Sequence, residues 1–189
     1  MSSKVNCFIP YQDEVQVKET VKGLKENSSV SKIYLLSVNP EAKPLEGCEI
    51  VHVESMKCTP AMRKIAERSD AEFTLIYTKE STLELGMFAL ERMVKLAGDS
   101  SAAMVYSDHY QVIDGKRSAC PVITYQSGSL RDDFNFGSVL LYRASALKDA
   151  VSRMQTDYKF ELMTFITSDR FGFVTNFTYI CDNIKIIIL

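Results

Sequence analysis

The run Val5-Asn6-Cys7-Phe8-Ile9-Pro10, followed by Tyr11-Gln12-Asp13-Glu14, decides how the chain is read. A short apolar run closed by proline has the form of a buried strand. Directly behind it, Val17, Val21 and Leu24 recur at helical spacing on a polar background over residues 13–25, and Asp13 stands where a helix cap is wanted. Residues 31–37 repeat the strand texture and close at Asn39-Pro40, and residues 49–53 form a weaker third strand. Thr59-Pro60 then opens a second helix to about residue 69, with Thr59 as cap and the proline at the first helical position. Residues 72–77 are a strand. Residues 81–97, with Leu85, Phe88, Ala89, Arg92, Met93 and Leu96 at steps of three and four, predict a long helix. This β-α-β-β-α-β-α order argues for an α/β domain with a mostly parallel sheet. Farther on come a strand at 102–106, a hairpin turned by Asp114-Gly115, a strand at 135–143 and a helix at 144–154.

Composition narrows the function. The chain has 189 residues, a length that fits one domain with its own core, so residues 1–189 are read as a single unit. A net charge of −2 and the lack of any basic run argue against nucleic acid or anionic lipid as a partner. The N-terminus carries no apolar signal region, and no apolar run reaches the roughly 20 residues of a membrane span. Cys7, Cys48, Cys58, Cys120 and Cys181 are odd in number, scattered and form no C-x-x-C pair, which predicts free thiols in a reducing cytoplasm. His52 and His109 lie far apart and make no metal spacing with cysteine. Dinucleotide and P-loop glycine patterns and the G-x-S-x-G elbow are absent from the sequence.

In open α/β sheets ligands bind beyond the carboxyl ends of the strands, so the residues just after each strand carry the most information. They read Tyr11-Gln12-Asp13-Glu14, Ser37, Thr78-Lys79-Glu80 and Ser107-Asp108-His109-Tyr110. Carboxylates recur at three of these four ends. That pattern suits a phosphorylated ligand with a divalent cation, and it equally suits loops that are polar for solvation.

These segments resemble, in order, the motifs of the family 2 glycosyltransferases. Ile9-Pro10-Tyr11-Gln12-Asp13-Glu14 is similar to the family's opening strand and turn. Residues 62–65 with Arg63, 73–80 and 90–94 stand where the family has an Arg-bearing helix, a strand closing in D-x-D, and an L-x-x-[ML]-V helix. Met104-Val105-Tyr106-Ser107-Asp108-His109-Tyr110 with Ile113-Asp114-Gly115-Lys116 resembles V-Y-S-D-Y followed by I-D-x-D-G-K, and residues 138–147 resemble the strand and helix with L-x-R-x-x-A-L. The resemblance covers about residues 4–155. It implies the GT-A fold, a three-layer sandwich with a mostly parallel central sheet, and transfer of a sugar from a nucleotide-diphospho-sugar, UDP-type favoured, to a saccharide or other hydroxyl acceptor with inversion. It further implies Mg²⁺ or Mn²⁺ at Glu80 and Asp108, nucleotide-sugar contacts at Pro10, Tyr11, Asp13, Ser37, Arg63, Thr78, Lys79 and Arg131, and a base or further ligand among Asp108, Asp132 and Asp133.

Three departures accompany it. The family's acidic end of the second strand is Ser37 here, and the D-x-D position reads Thr78-Lys79-Glu80, with one carboxylate. After about residue 160 the match ends: residues 161–189 hold five charged residues against 41 in the first 160, a change of texture expected of an altered or truncated continuation, or of a C-terminal hairpin. A protein that binds sugar nucleotides without turnover is therefore the alternative, and a nucleotidyltransferase on a related fold is disfavoured because no Gly-rich loop follows Ile9-Pro10. Assembly into oligomers is left open.

Overall fold

The computed structural model describes residues 4–56, 58–123, 135–154 and 186–188. In chain order these form β1 (Val5–Pro10), α1 (Glu14–Lys25), β2 (Val30–Ser37), β3 (Glu49–His52), α2 (Thr59–Arg68), β4 (Phe73–Tyr77), α3 (Ala89–Ser100), β5 (Met104–Tyr106), β6 (His109–Ile113), β7 (Lys116–Cys120), β8 (Val139–Arg143), α4 (Ala144–Ser152) and β9 (Ile186–Ile188). Among the described residues the main sheet has seven strands in the order β3-β2-β1-β4-β8-β5-β9. Only β8 runs against its neighbours, pairing antiparallel with both β4 and β5, so the sheet is mostly parallel as expected. β6 and β7 form a separate two-stranded hairpin turned at Asp114-Gly115, both with positive φ.

Strand alternation divides the core between the two faces of this sheet. Cys7, Ile9, Leu35, Phe73, Leu75 and Leu141 pack with Val17, Val21 and Leu24 of α1 and with Leu90, Met93, Val94 and Ala97 of α3. Phe8, Tyr34, Leu36, Ile76, Tyr106 and Tyr142 face the other way, onto Ala61, Met62 and Ile65 of α2 and Leu147 and Val151 of α4. The result is the three-layer α/β/α sandwich. Burial pushes the Cys7 thiol up to about 12, so it remains a protonated core group. The described cysteines Cys7, Cys48, Cys58 and Cys120 are all free; Cys181 lies outside the described residues.

Capping behaves as expected at α1, where the Asp13 carboxylate accepts the Gln16 N–H at 2.9 Å. Asp13→Ala is expected to cost about 1 kcal/mol, lowering Tm by roughly 2–4 °C in a scanning calorimetry comparison with the parent. At α2 the cap is Cys58 rather than Thr59, which sits inside the first turn with Pro60.

The larger correction concerns the helix expected over 81–97, because α3 starts only at Ala89. Residues 81–83 are drawn onto α1 instead. Thr82 Oγ1 donates to the Gln16 carbonyl at 3.2 Å, the Leu83 N–H donates to Thr20 Oγ1 at 2.8 Å, and Gln16 Nε2 donates to the Ser81 carbonyl at 3.4 Å. Three bonds to a neighbouring helix outweigh the weak periodicity of a stretch that also contains Gly86, which costs a helix about 1 kcal/mol. Phe88 then takes a left-handed φ of 57° at the start of α3 and is 65% exposed. The strand expected at 135–143 likewise shortens to β8, since Asn135 Oδ1 accepts the Gly137 N–H at 2.8 Å in a tight turn.

The L-x-R-x-x-A-L motif has a structural reason. Arg143 Nη2 donates to the Ala97 carbonyl at 2.7 Å and its Nε to the Ala102 carbonyl at 3.3 Å, joining the end of α3 to β8. Its guanidinium also lies 5.0 Å from the Phe73 ring centroid. β9 extends the sheet parallel to β5; Phe171, Phe173, Phe177 and Tyr179, on which the expected C-terminal hairpin rests, lie outside the described residues. Among the described residues no helix is long and apolar enough to cross a membrane.

Candidate functional site

The chain leaves β1 through α1 to β2 on one side, then returns through α2 to β4 on the other. β1 and β4 thus flank the point where the winding reverses, which in open α/β sheets is where a crevice opens at the carboxyl ends. A cleft of about 220 Å³ lies there, lined by Tyr11, Gln12, Ser37, Val38, Asn39, Met56 and Glu80.

Each lining group is set by the strand that ends beneath it. The Tyr11 N–H donates to the Leu36 carbonyl at 2.8 Å, which continues the β1–β2 ladder one residue past Pro10 and fixes where Tyr11 leaves the sheet. Ser37 ends β2; it is buried, and its Oγ accepts the Asn39 N–H at 3.2 Å. Asn39 Oδ1 in turn accepts the Glu41 N–H at 3.0 Å. This orients the amide, since the oxygen is committed to the backbone and the NH₂ group is turned away from it. Across the cleft, Gln12 Nε2 donates to Glu80 Oε2 at 2.5 Å, tying the end of β1 to the segment after β4. Tyr11, Val38 and Met56 supply the apolar surface, with Val38 60% exposed.

Of the residues the sequence nominated, the structure gathers Tyr11, Ser37 and Glu80 in this cleft. Pro10 closes β1 beneath it, paired with Leu36. Thr78 continues β4 by donating its N–H and hydroxyl to the Ser138 carbonyl, at 2.9 and 3.3 Å, and exposed Lys79 leads on to Glu80. Asp13 serves as the α1 cap. Arg63 lies on α2, where its Nη2 donates to the Met154 carbonyl just past α4 at 3.2 Å. Asp108 stands beyond β5 and is not among the cleft's lining residues. One of its oxygens accepts the Val122 N–H at 2.7 Å, while the Tyr106 hydroxyl donates to the Ile123 carbonyl at 2.8 Å. Together these bonds pin the chain as it returns from the β6–β7 hairpin. Arg131, Asp132 and Asp133 lie outside the described residues.

Sequence reading missed Gln12, Val38, Asn39 and Met56 as site residues. Gln12, Val38 and Asn39 follow strands and were legible in principle; Met56, in the loop after β3, carried no signal.

A divalent cation finds one carboxylate here. Glu80 is exposed at the cleft, with Oε2 held by Gln12 and Oε1 making no hydrogen bond among the described residues. Among the described residues no three His, Cys, Asp or Glu side chains gather as a metal site. Hard cations take several oxygen ligands, and among the described residues the cleft would offer one a single protein ligand, Glu80.

No protein-family model matches the chain, and no curated protein matches it in sequence. Solved structures do match it. The TarS glycosyltransferase of S. aureus, residues 1–349, superposes with a TM-score of 0.59 at 12% identity, over 98% of this chain and 58% of that one. The CMP:2-keto-3-deoxy-manno-octonic acid synthetase in complex with CTP gives 0.58 at 12% identity, over 99% and 89%. The 2-C-methyl-D-erythritol 4-phosphate cytidylyltransferase of Francisella tularensis gives 0.57 at 12%, over 99% and 90%. This chain therefore spans 58% of the length of the TarS chain. The likeness is one of fold, the GT-A/nucleotidyltransferase architecture, as the motif order implied.

Proposed function

We propose that the chain is a nucleotide-sugar-dependent glycosyltransferase of the family 2 type, acting in the cytoplasm with inversion at the anomeric carbon. The observation that carries this reading is the cleft at the point of reversal between β1 and β4, lined by Tyr11, Ser37 and Glu80 among others. In the reaction, the acceptor hydroxyl of a saccharide or other alcohol attacks the anomeric carbon opposite the leaving group. The bond from that carbon to the diphosphate breaks with its electron pair on the nucleoside diphosphate, and a base takes the acceptor's proton. Asp108, Asp132 and Asp133 are the candidates for that base, which must come within hydrogen-bond reach of the acceptor oxygen. Asp108 retains one oxygen free of the Val122 contact for such a role. On the donor side Tyr11 offers a face for the base and Glu80 holds a carboxylate at the diphosphate end. A bound Mg²⁺ or Mn²⁺ supplies charge neutralisation of the leaving diphosphate. A uridine nucleotide is the donor type that the family resemblance favours.

The test is release of nucleoside diphosphate from a panel of UDP- and CDP-activated sugars, with Mg²⁺, Mn²⁺ or EDTA. Metal-stimulated release above the no-enzyme rate is expected, and Tyr11→Ala should lower its kcat/KM at least about fivefold by removing the stacking face, about 1–3 kcal/mol. A second reading, binding without turnover, is favoured by the engagement of the lone carboxylate Glu80 with Gln12. Binding of the nucleotides with no release from any sugar would select it. A nucleotidyltransferase is disfavoured: β1 and α1 are joined by Tyr11-Gln12-Asp13 alone, with no glycine to bring a backbone loop around a triphosphate.

A further inference from the structure

We infer that the base of the sheet carries a binding site for one internal water, which joins Asn6 of β1 to Thr74 of β4. Both side chains are fully buried. They are partners in the parallel β1–β4 register, near the amino ends of the two strands and so at the opposite end of the sheet from the cleft. Strand alternation puts them on one face, because Phe8 and Ile76, two residues farther along each strand, both pack on the α2 and α4 side. Each carries an oxygen with no hydrogen-bond partner among the described residues, Asn6 Oδ1 and Thr74 Oγ1.

The Asn6 amide is fixed from its other end. Nδ2 donates to the Arg68 carbonyl at 2.9 Å and to Asp70 Oδ1 at 2.5 Å, so both of its hydrogens go to acceptors just at and past the end of α2. Asp70 Oδ2 in turn accepts from Lys32 Nζ at 2.6 Å, and Lys32 is the partner of Asn6 on β2. A polar chain thus runs inward from exposed Lys32 to Asn6 Oδ1. An amide oxygen can only accept, so Oδ1 requires a donor, and the Thr74 hydroxyl one strand away makes no bond to it. A buried polar atom left unmatched costs at least as much as a made hydrogen bond returns. Internal waters serve such atoms, each bonding to several of them. The spacing suits a single molecule: two bonds of about 2.8 Å meeting at a tetrahedral water span about 4.6 Å, close to the roughly 4.8 Å between adjacent strands. The water donates one hydrogen to Asn6 Oδ1 and makes its second bond with the Thr74 hydroxyl. β2, β1, β4 and the end of α2 then share one network.

The experiment counts long-lived internal waters by magnetic relaxation dispersion of the water oxygen, in the full chain and in Thr74→Val and Thr74→Ser, and follows urea unfolding of each. The oxygen signal reports the water molecule itself and is blind to exchange of the threonine hydroxyl proton. Val keeps the shape of Thr without the hydroxyl, whereas Ser keeps the hydroxyl. The expected result is one long-lived water fewer in Thr74→Val than in the parent, an undiminished count in Thr74→Ser, and a folding constant for Thr74→Val roughly fivefold or more below the parent's. An equal count in the parent and Thr74→Val overturns the site. Loss of the water from Thr74→Ser overturns its attachment to the hydroxyl. A urea midpoint for Thr74→Val at or above the parent's overturns the site as well, since that is the outcome when the hydroxyl is simply unmatched and its removal relieves a cost.

Discussion

Phe8→Ala is expected to remove about 3–5 kcal/mol of stability, the largest effect of any substitution considered for this chain. Phe8 is fully buried at the middle of β1, between β2 and β4, and its ring stacks on Tyr34 with centroids 4.7 Å apart and planes 14° from parallel. The truncation creates a cavity between the sheet and α2, and the ladders on both sides keep β1 from closing it. A domain of this kind has only about 5–15 kcal/mol in hand, so the variant should unfold at a markedly lower urea concentration with an unchanged slope. Val15→Ala, at a site 87% exposed on α1, is the matched control and should stay within about 0.5 kcal/mol of the parent. A Phe8→Ala loss below about 1 kcal/mol would mean that the two faces of the sheet are not assigned correctly.

The second large effect is expected at Gly137. Its φ is +83°, and a Cβ there would sit 3.1 Å from the Ser107 carbonyl oxygen and 3.5 Å from both His109 Nδ1 and Val122 Cγ1. Left-handed backbone costs an ordinary residue about 1–2 kcal/mol, and the nearest obstacle is backbone, which cannot swing aside. Gly137→Ala should therefore lose roughly 2–3 kcal/mol. The damage should also reach the cleft, because the next residue, Ser138, accepts both the N–H and the hydroxyl of Thr78 and so sets how β4 runs on toward Glu80. Nucleotide affinity measured well below the variant's Tm should fall along with stability. A variant as stable as the parent would show that residue 137 can adopt another backbone conformation at no cost.

The sequence made the sheet legible because β1 and β4 are buried along their length and read as short apolar runs, Val5–Pro10 and Phe73–Tyr77, each carrying a single polar residue, Asn6 and Thr74. α1 was legible because one polar residue, Asp13, and three apolar ones at helical steps agree with each other. The start of α3 was not, because Leu85 and Phe88 keep a helical spacing that the bonds from residues 81–83 to α1 override. Nor does a sequence state strand direction: the antiparallel insertion of β8 between β4 and β5 depends on where the chain re-enters the sheet. The candidate site was half legible for a related reason. Residues after strands can be nominated from the sequence, but only the sheet order shows that the ends of β1, β2 and β4 meet while Asp108 stands apart beyond β5. Asp13 and Arg63 were nominated for a ligand, and their described bonds hold the helix cap of α1 and the carbonyl of Met154.

The most direct measurement is a two-dimensional amide and side-chain NMR titration of labelled protein with CDP and UDP in the presence of Mg²⁺. The account predicts saturable shifts concentrated at Tyr11, Gln12, Ser37, Val38, Asn39 and Glu80, including the Asn39 and Gln12 NH₂ resonances. Saturable shifts centred on any other surface, with these residues unmoved, would contradict it.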